Sequence, residues 1–297
     1  MTAQERSLTV APNPAYAGTA VADEVLAPTT KTAKPPRSRW VFVWWIVFIL
    51  GVLYFILPLI GTVLFSLRDR PFLNAYLSIL GDPQFFSSLG YSFIVGIITI
   101  ILSIALMVPT AYWVRLRMPR ARPIVEFVTL LPFVIPPIVL VFGLISTYSH
   151  PPLPFTYSDI GSTALLVFAY VVLSFPYMYR AVDTGLRTMD IRSLTEASQS
   201  LGAGWFRLIV DVILPNLRVA LLAGAFLTLA IVIGEFTIAN FLARPAFAPY
   251  LSLLGSNYPY QQAAVAVVSF ALTWIAMALI AVVGRGSRNR ITVTGTR

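Results

Sequence analysis

The sequence predicts an all-α membrane protein with six transmembrane helices and both termini in the cytoplasm. Hydrophobic residues make up 58% of the 297 residues and charged residues only 11%, whereas soluble domains carry about 25% charged residues. Six apolar stretches are long enough to cross a bilayer, and Lys and Arg are concentrated in alternate connections between them. Lipid is therefore the expected solvent for most of the chain.

Each of the six stretches approaches or exceeds the length of about 20 residues that crosses a hydrocarbon core of about 30 Å. In lipid each must be a helix, because a helix satisfies its own backbone hydrogen bonds. The predicted spans are Val41–Ser66, Tyr91–Val114, Ile124–Thr147, Ser162–Tyr179, Leu217–Leu242 and Ala263–Gly284. The carboxylates within them are Glu126 and Glu235. Solid apolar runs exclude an outer-membrane barrel, whose strands alternate over about 10 residues.

The positions of Lys and Arg predict the orientation. Eighteen of the 21 lie in the two tails and around the connections that follow the second and fourth spans. The other three are Arg68, Arg70 and Arg244. The positive-inside rule then places both termini in the cytoplasm. The net charge of +9 is accordingly a topology signal rather than a nucleic-acid-binding face.

Composition divides the chain into three parts. Residues 1–39, rich in Ala, Pro and Thr, are predicted to be a disordered cytoplasmic tail. Residues 40–285 form the six-helix domain, and residues 286–297 a basic cytoplasmic tail. The first apolar run, of about 26 residues, exceeds the 7–15 residues of a signal-peptide core, so we expect the first span to be retained.

Few side chains are available for metal binding or for catalysis. The sequence has no cysteine and a single histidine, His150, in a Pro-rich loop. Thiolate sites and histidine clusters are therefore excluded. We expect His150 to be an ordinary loop residue, because a catalytic site needs converging partners.

Prolines interrupt several spans, most densely in Leu131–Pro137 of the third. Each removes a backbone hydrogen bond and can kink a helix. One interpretation is that the prolines shape helices against their neighbours, as is frequent in membrane bundles. The other is that they break the helix and open a translocation path. We favour the first.

The longest internal cytoplasmic segment, residues 180–216, carries the most specific pattern. Ser193 followed three residues later by Glu196 fits a capping box at the start of a short helix. This helix is expected to end near Leu201, where Gly202 suits the left-handed position after a helix. A second apolar helical piece then runs to Pro215. The prediction is two short helices that meet at a glycine elbow.

Three parts of this segment together resemble the EAA signature of binding-protein-dependent ABC importer permeases. They are Glu196–Ser198, Gly202 and Ile213–Pro215, just before the penultimate span, with Ser198 in place of the second alanine. The resemblance implies the type I importer permease fold, with the segment 188–215 as a coupling helix that docks on a separate ATPase. The residues that would make this coupling are Glu196, Ala197, Ser198, Gly202, Ala203, Leu214 and Pro215.

The same resemblance implies the partners. They are two ATPase subunits, a second permease subunit that we expect to be a different chain, and an extracytoplasmic solute-binding protein, assembled at the bacterial inner membrane. The sequence has no Walker A motif and no lysine beyond Lys34, so ATP and Mg²⁺ would be bound by the ATPase and no cofactor by this chain. The chain is thus expected to be a transport subunit rather than an enzyme.

The solute is suggested by details of the signature. Leu201–Ala203 is similar to the form found in polyamine, ferric-iron, sulfate and molybdate permeases, and Gly234–Phe236 to a sequence frequent in polyamine and iron permeases. The resemblance implies a polyamine first and ferric iron second. A carboxylate in a span costs about 2.5–3.5 kcal/mol and marks a functional position, so Glu235 is the main candidate to contact a cationic solute. Weaker candidates, which could equally hold helices together, are Thr237, Asn240, Tyr170, Phe175 and Tyr177.

Two other classes of function stay open. An ion-coupled secondary transporter would need intramembrane carboxylates, of which only Glu126 and Glu235 are available. A membrane enzyme would have to work with one histidine. Both fit the sequence less well than an importer permease.

Overall fold

The computed structural model describes residues 40–286, with side chains described for 42–272 and 274–275. The predicted N-terminal tail, and all of the C-terminal tail but Gly286, lie outside these residues. Helices and helical turns account for the regular structure of the described part, which contains no strand. The all-α prediction is therefore confirmed. The described residues divide into two units at Tyr54–Phe55, and the contacts below all lie within the second.

The helices follow one another with short connections. They are α1 (Trp40–Ser66), α2 (Asn74–Leu80), α3 (Pro83–Leu116), α4 (Arg122–Val134), α5 (Pro137–Tyr148), α6 (Asp159–Arg187), α7 (Ile191–Ser200), α8 (Trp205–Arg207), α9 (Leu214–Asn216), α10 (Arg218–Gly234), α11 (Thr237–Phe241), α12 (Phe247–Asn257) and α13 (Pro259–Gly286). A π-helical turn, Leu208–Ile213, joins α8 to α9.

Among the described residues, α1, α3 and α6 are each long and apolar enough to cross a membrane. Two bent helix pairs raise the number to five if each pair counts as one span. Helix α13 has 28 residues, but most side chains of its second half lie outside the description. The count of six and the cytoplasmic termini therefore stay predictions.

The third predicted span, Ile124–Thr147, is wrong as a continuous helix. The chain bends by 95° between Pro119–Val134 and Pro137–Tyr148. At the break, Ile135 is extended with ψ 115° and Pro136 has ψ 139°. Two consecutive prolines explain this, because a proline donates no hydrogen bond and forces the residue before it out of the α region. The helix is therefore broken at these prolines, whereas we had favoured prolines that only shape a continuous helix against its neighbours.

The fourth and fifth predicted spans also need correction. Helix α6 continues eight residues beyond the predicted end at Tyr179, to Arg187. The fifth span, predicted over Leu217–Leu242, ends as helix α10 at Gly234, where Glu235 becomes extended with ψ 116°. The short helix α11 then begins at Thr237. Composition did not reveal these ends because the residues on both sides of each are compatible with a helix.

The core of the second unit is a bundle of α3, α6 and α10. Glycines allow these helices to approach closely: a Cβ on Gly96 would lie 2.6 Å from Leu229, and one on Gly185 would lie 2.7 Å from the Cβ of Ala220. Small residues at helix contacts are typical of membrane bundles. Inside the bundle, the hydroxyls of Ser103 and Ser174 hydrogen-bond at 2.6 Å. This frame holds the segment and the cavities described next.

Candidate coupling segment and solute path

Helix α7 is capped by a residue that the sequence pattern did not indicate. Asp190 is the N-cap, and its carboxylate accepts from the amide of Ser193 at 3.2 Å and from the Ser193 hydroxyl at 2.6 Å. These bonds hold the pKa of Asp190 below its usual value. The predicted capping box of Ser193 and Glu196 is wrong, because the helix begins one turn earlier. Glu196 instead accepts from Nε of Arg192 at 3.0 Å.

The glycine elbow is confirmed. Gly202 has φ +79°, a conformation that glycine adopts without the steric penalty of a side chain. Its amide donates to the carbonyl of Gln199 at 2.9 Å, and the amide of Ala203 donates to the carbonyl of Ser198 at 3.0 Å. This pair of bonds is a Schellman motif, which closes the helix and fixes the direction of the chain that follows.

One face of α7 is fastened to the bundle. Ile191 and Thr195 are buried, and the Thr195 hydroxyl lies 3.2 Å from the hydroxyl of Tyr112 on α3. In the π-helical turn beyond the elbow, Leu208 and Ile213 are buried in the same apolar cluster. The segment is therefore held to the bundle on both sides of Gly202.

Large apolar side chains at the elbow and directly after it are exposed. Leu201 is 88% exposed and Phe206 71% exposed, and Trp205 is also exposed. Of the predicted coupling residues, Glu196, Ala197, Gly202 and Pro215 are exposed, whereas Ser198, Ala203 and Leu214 are half-buried. The structure thus places the predicted residues on one short segment and adds an apolar tip that the signature did not single out.

Glu235 caps the helix that follows it. Its carboxylate accepts from the amide of Ile238 at 2.9 Å and from that of Ala239 at 3.3 Å, which caps the start of α11. It also accepts from the hydroxyl of Tyr170 at 3.2 Å. Two of the proposed path residues, Glu235 and Tyr170, are therefore engaged with each other rather than directed at open space.

We expect Glu235→Ala to lower the free energy of unfolding by about 1–2 kcal/mol, the usual range for the loss of a helix cap. Glu235→Gln should lose less, because the amide oxygen can still accept. The measurement is thermal unfolding in detergent, with Glu126→Ala as the matched control, since Glu126 is half-exposed and pairs with Arg122. Equal losses for Glu235→Ala and Glu126→Ala would contradict the assignment.

Tyr177 is the one predicted path residue that lines a large cavity. This cavity of about 640 Å³ lies between α4, α6 and α10, and Arg180 and Thr184 also line it. The ring of Tyr177 packs edge-on against Phe133, with centroids 5.4 Å apart. Thr237 and Asn240 line neither this cavity nor its smaller neighbour.

The smaller cavity, of about 360 Å³, shares Arg180 and Thr184 with the larger one. It borders an ion-pair cluster centred on Asp183, which accepts from Arg115 at 3.5 Å, from Arg122 at 3.2 Å and from Arg187 at 2.7 Å. The sequence did not indicate this region, because the fourth span was predicted to end at Tyr179 and the residues that follow were assigned to a cytoplasmic segment. Polar residues recur at helical spacing from Tyr177 onward, and this pattern would have predicted that the helix continues beyond Tyr179.

Comparison with known proteins identifies the family. Residues 107–289 match the model of the binding-protein-dependent transport system inner membrane component. A probable molybdenum ABC transporter permease protein of Haloferax volcanii is 28% identical over 198 residues, 65% of this chain and 70% of that protein. The spermidine/putrescine transport system permease protein of Escherichia coli K12 is 23% identical over 214 residues, 64% of this chain and 76% of that protein.

Two further similarities agree with this match. The molybdenum transport system permease protein of Azotobacter vinelandii is 27% identical over 186 residues, 58% of this chain and 74% of that protein. A crystal structure of a bacterial alginate ABC transporter, in complex with an alginate pentasaccharide-bound periplasmic protein, contains a chain of similar fold. Its TM-score is 0.60 at 16% identity, over 86% of this chain and 96% of that one. The chain belongs to the family of binding-protein-dependent transport system inner membrane components, the permease subunits of ABC importers.

Proposed function

We propose that this permease forms half of a translocation path and is moved by a partner ATPase through the segment 188–215. The observation that carries the proposal is the exposed apolar tip of Leu201 and Phe206 on a segment that also buries apolar side chains in the bundle. Large exposed apolar side chains that cluster on a folded element are typical of a surface that binds another protein. Glu196, which is also exposed, would add a charge that orients the contact.

The route from this segment to the spans is short. Thr195 contacts Tyr112 on α3, and Ile213 packs in the apolar cluster that includes Leu186 on α6 and Leu221 on α10. A displacement of the segment by the ATPase would therefore move side chains that pack on all three helices of the bundle. An ATPase that holds the segment differently with and without ATP would shift the bundle between two states.

The remaining expectations belong to the same proposal. They are six spans with both termini in the cytoplasm, two ATPase subunits that bind ATP and Mg²⁺, a different companion permease and an extracytoplasmic binding protein. The EAA resemblance and the family match support these partners. The signature pointed to a polyamine or ferric iron, and the similar proteins include both molybdenum and spermidine/putrescine permeases. The proposal therefore covers uptake of a small charged solute.

We expect the chain to copurify from its native membranes with an ATPase, and we expect Phe206→Asp and Leu201→Asp each to weaken this association at least about tenfold. A desolvated apolar anchor at an interface contributes about 1.4 kcal/mol or more, which is tenfold in affinity. Glu196→Ala should weaken it less, because exposed charge pairs contribute about 0–1 kcal/mol. The readout is the amount of ATPase recovered for each molecule of permease.

The matched control is Leu153→Asp, which places the same charge at a half-exposed leucine in the loop between α5 and α6. This variant should keep the ATPase. Undiminished association in Phe206→Asp and Leu201→Asp would refute the docking surface. Transport in liposomes by this chain alone, without ATP, would favour an ion-coupled secondary transporter instead.

A further inference from the structure

The larger cavity has one polar wall and one apolar wall. Helix α6 contributes Tyr177, Arg180 and Thr184, and Thr188 follows directly after its last residue. These residues recur at intervals of three or four and so share one face. Helix α10 contributes apolar side chains to the opposite wall. Because the two cavities share Arg180 and Thr184, the polar face of α6 runs continuously along both.

Three groups on this face make no hydrogen bond or ion pair with the residues that the structure describes; Arg180 and Thr184 are exposed, and Tyr177 is half-buried. The hydroxyls of Tyr177 and Thr184 make no hydrogen bond there, and the guanidinium of Arg180 makes neither a hydrogen bond nor an ion pair. Each can donate: the guanidinium carries five N–H donors and a fixed positive charge, and each hydroxyl carries one. Among the described residues, Arg180 is the only ionisable side chain other than Tyr177 that lines the larger cavity.

The carboxylates near the path are already occupied. Asp183 accepts from three arginines, and Glu126 accepts from Arg122 at 2.8 Å. Glu235 accepts from two backbone amides and from Tyr170. Among the described residues that line the two cavities, a cationic solute would find no unpaired carboxylate, whereas an anion would find the unpaired guanidinium of Arg180.

We propose that this path recognises an anion, and that Arg180, with the hydroxyls of Tyr177 and Thr184, is the site on α6 that an oxyanion contacts. Charged N–H groups beside hydroxyl donors are suited to oxyanions, because such charge-assisted hydrogen bonds are about twice as strong as neutral ones. The inference rests on the proposed function and deepens it. It replaces the polyamine expected from the signature with a solute of opposite charge.

The test uses the absence of cysteine from the chain. Thr184→Cys places a single thiol in this chain at the site. In the purified importer complex, the thiol is treated with two methanethiosulfonates of similar size, one bearing a sulfonate and one bearing a trimethylammonium group. The mass of this chain reports the two rates. Their ratio measures the local preference for an anion over a cation and is independent of the thiol pKa, which affects both rates equally.

We expect Arg180→Gln, combined with Thr184→Cys, to lower the ratio of anionic to cationic rates by about tenfold, because a unit charge within a few ångströms attracts one reagent and repels the other. Arg180→Lys should keep most of the ratio. Arg117→Gln is the matched control: Arg117 is exposed beyond the end of α3 and lines neither cavity, so its removal should leave the ratio unchanged.

A ratio that Arg180→Gln leaves within twofold of the parent overturns the proposal. A second measurement needs no change at Arg180. In the Thr184→Cys complex, sodium molybdate should slow modification by the anionic reagent, and spermidine at the same concentration should not. Protection by spermidine and not by molybdate overturns the proposal. Neither readout depends on the tip of Leu201 and Phe206, so failure of the coupling proposal would appear separately, as loss of ATPase copurification.

Discussion

Asp183→Ala is expected to lower the free energy of unfolding by about 2–3 kcal/mol, because it leaves three guanidinium groups close together without their shared acceptor. The Asp183 side chain is only 13% exposed, and it joins α6 to Arg115 on α3 and to Arg122 on α4. The arginines are partly exposed to solvent, which keeps the loss below the 3–5 kcal/mol of a fully buried pair. Equilibrium unfolding in mixed micelles measures this change.

Two further variants make the Asp183 test specific. Asp183→Asn keeps an acceptor oxygen and should lose about half as much, since the charge but not every hydrogen bond is removed. Asp211→Ala is the control, because Asp211 is exposed and makes no ion pair among the described residues. If Asp183→Ala is no more destabilising than Asp211→Ala, the cluster does not hold α3, α4 and α6 together.

Gly185→Val should destabilise the bundle by a similar amount, about 2–3 kcal/mol, which is within the range for overpacked cores. A Cβ at this position would lie 2.6 Å from Cδ2 of Leu217 and 2.7 Å from the Cβ of Ala220. The leucine methyl can rotate away, but the Ala220 Cβ is fixed to its backbone. Helices α6 and α10 would therefore have to separate, which thermal unfolding and hydrogen exchange in α10 would detect.

Gly90→Val is the matched substitution. Gly90 also lies inside a long helix, α3, but a Cβ there would meet nothing within 4 Å. We expect a change of less than about 0.5 kcal/mol, as for ordinary surface substitutions. Similar losses at Gly90 and Gly185 would mean that helix propensity, rather than the approach of α6 to α10, determines the effect.

Local sequence predicted the end of helix α7 correctly but not its start. Gly202 was assigned a left-handed conformation from its place after a short helix, and its φ of +79° confirms the assignment. The start of the same helix was misplaced by one turn, because Asp190 and Ser193 are both good N-cap residues. Local pattern did not decide between them, and the capping bonds of Asp190 show which of the two the fold uses.

The breaks in the predicted spans were harder to predict from the sequence. Pro136 and Pro137 marked a position where a helix could fail, and the chain turns there by 95°. Prolines in membrane helices are often accommodated by neighbouring groups, so the sequence alone did not predict the size of the bend. No proline indicates the end of α10. This end became visible only through the bonds that Glu235 makes to α11 and Tyr170.

By itself, the sequence determined the class of the protein, the elbow at Gly202 and the permease family, because hydropathy, backbone conformation and a spaced signature are local properties. The tertiary structure decided which charges are already paired. Arg115 and Arg122 lie 68 and 61 residues from Asp183 in sequence, and their contact depends on which faces of α3, α4 and α6 meet. The same packing gave the Glu235 carboxylate its hydrogen-bond donors, because neighbouring helices bring those donors within reach. It brought no described acceptor within reach of the Arg180 guanidinium.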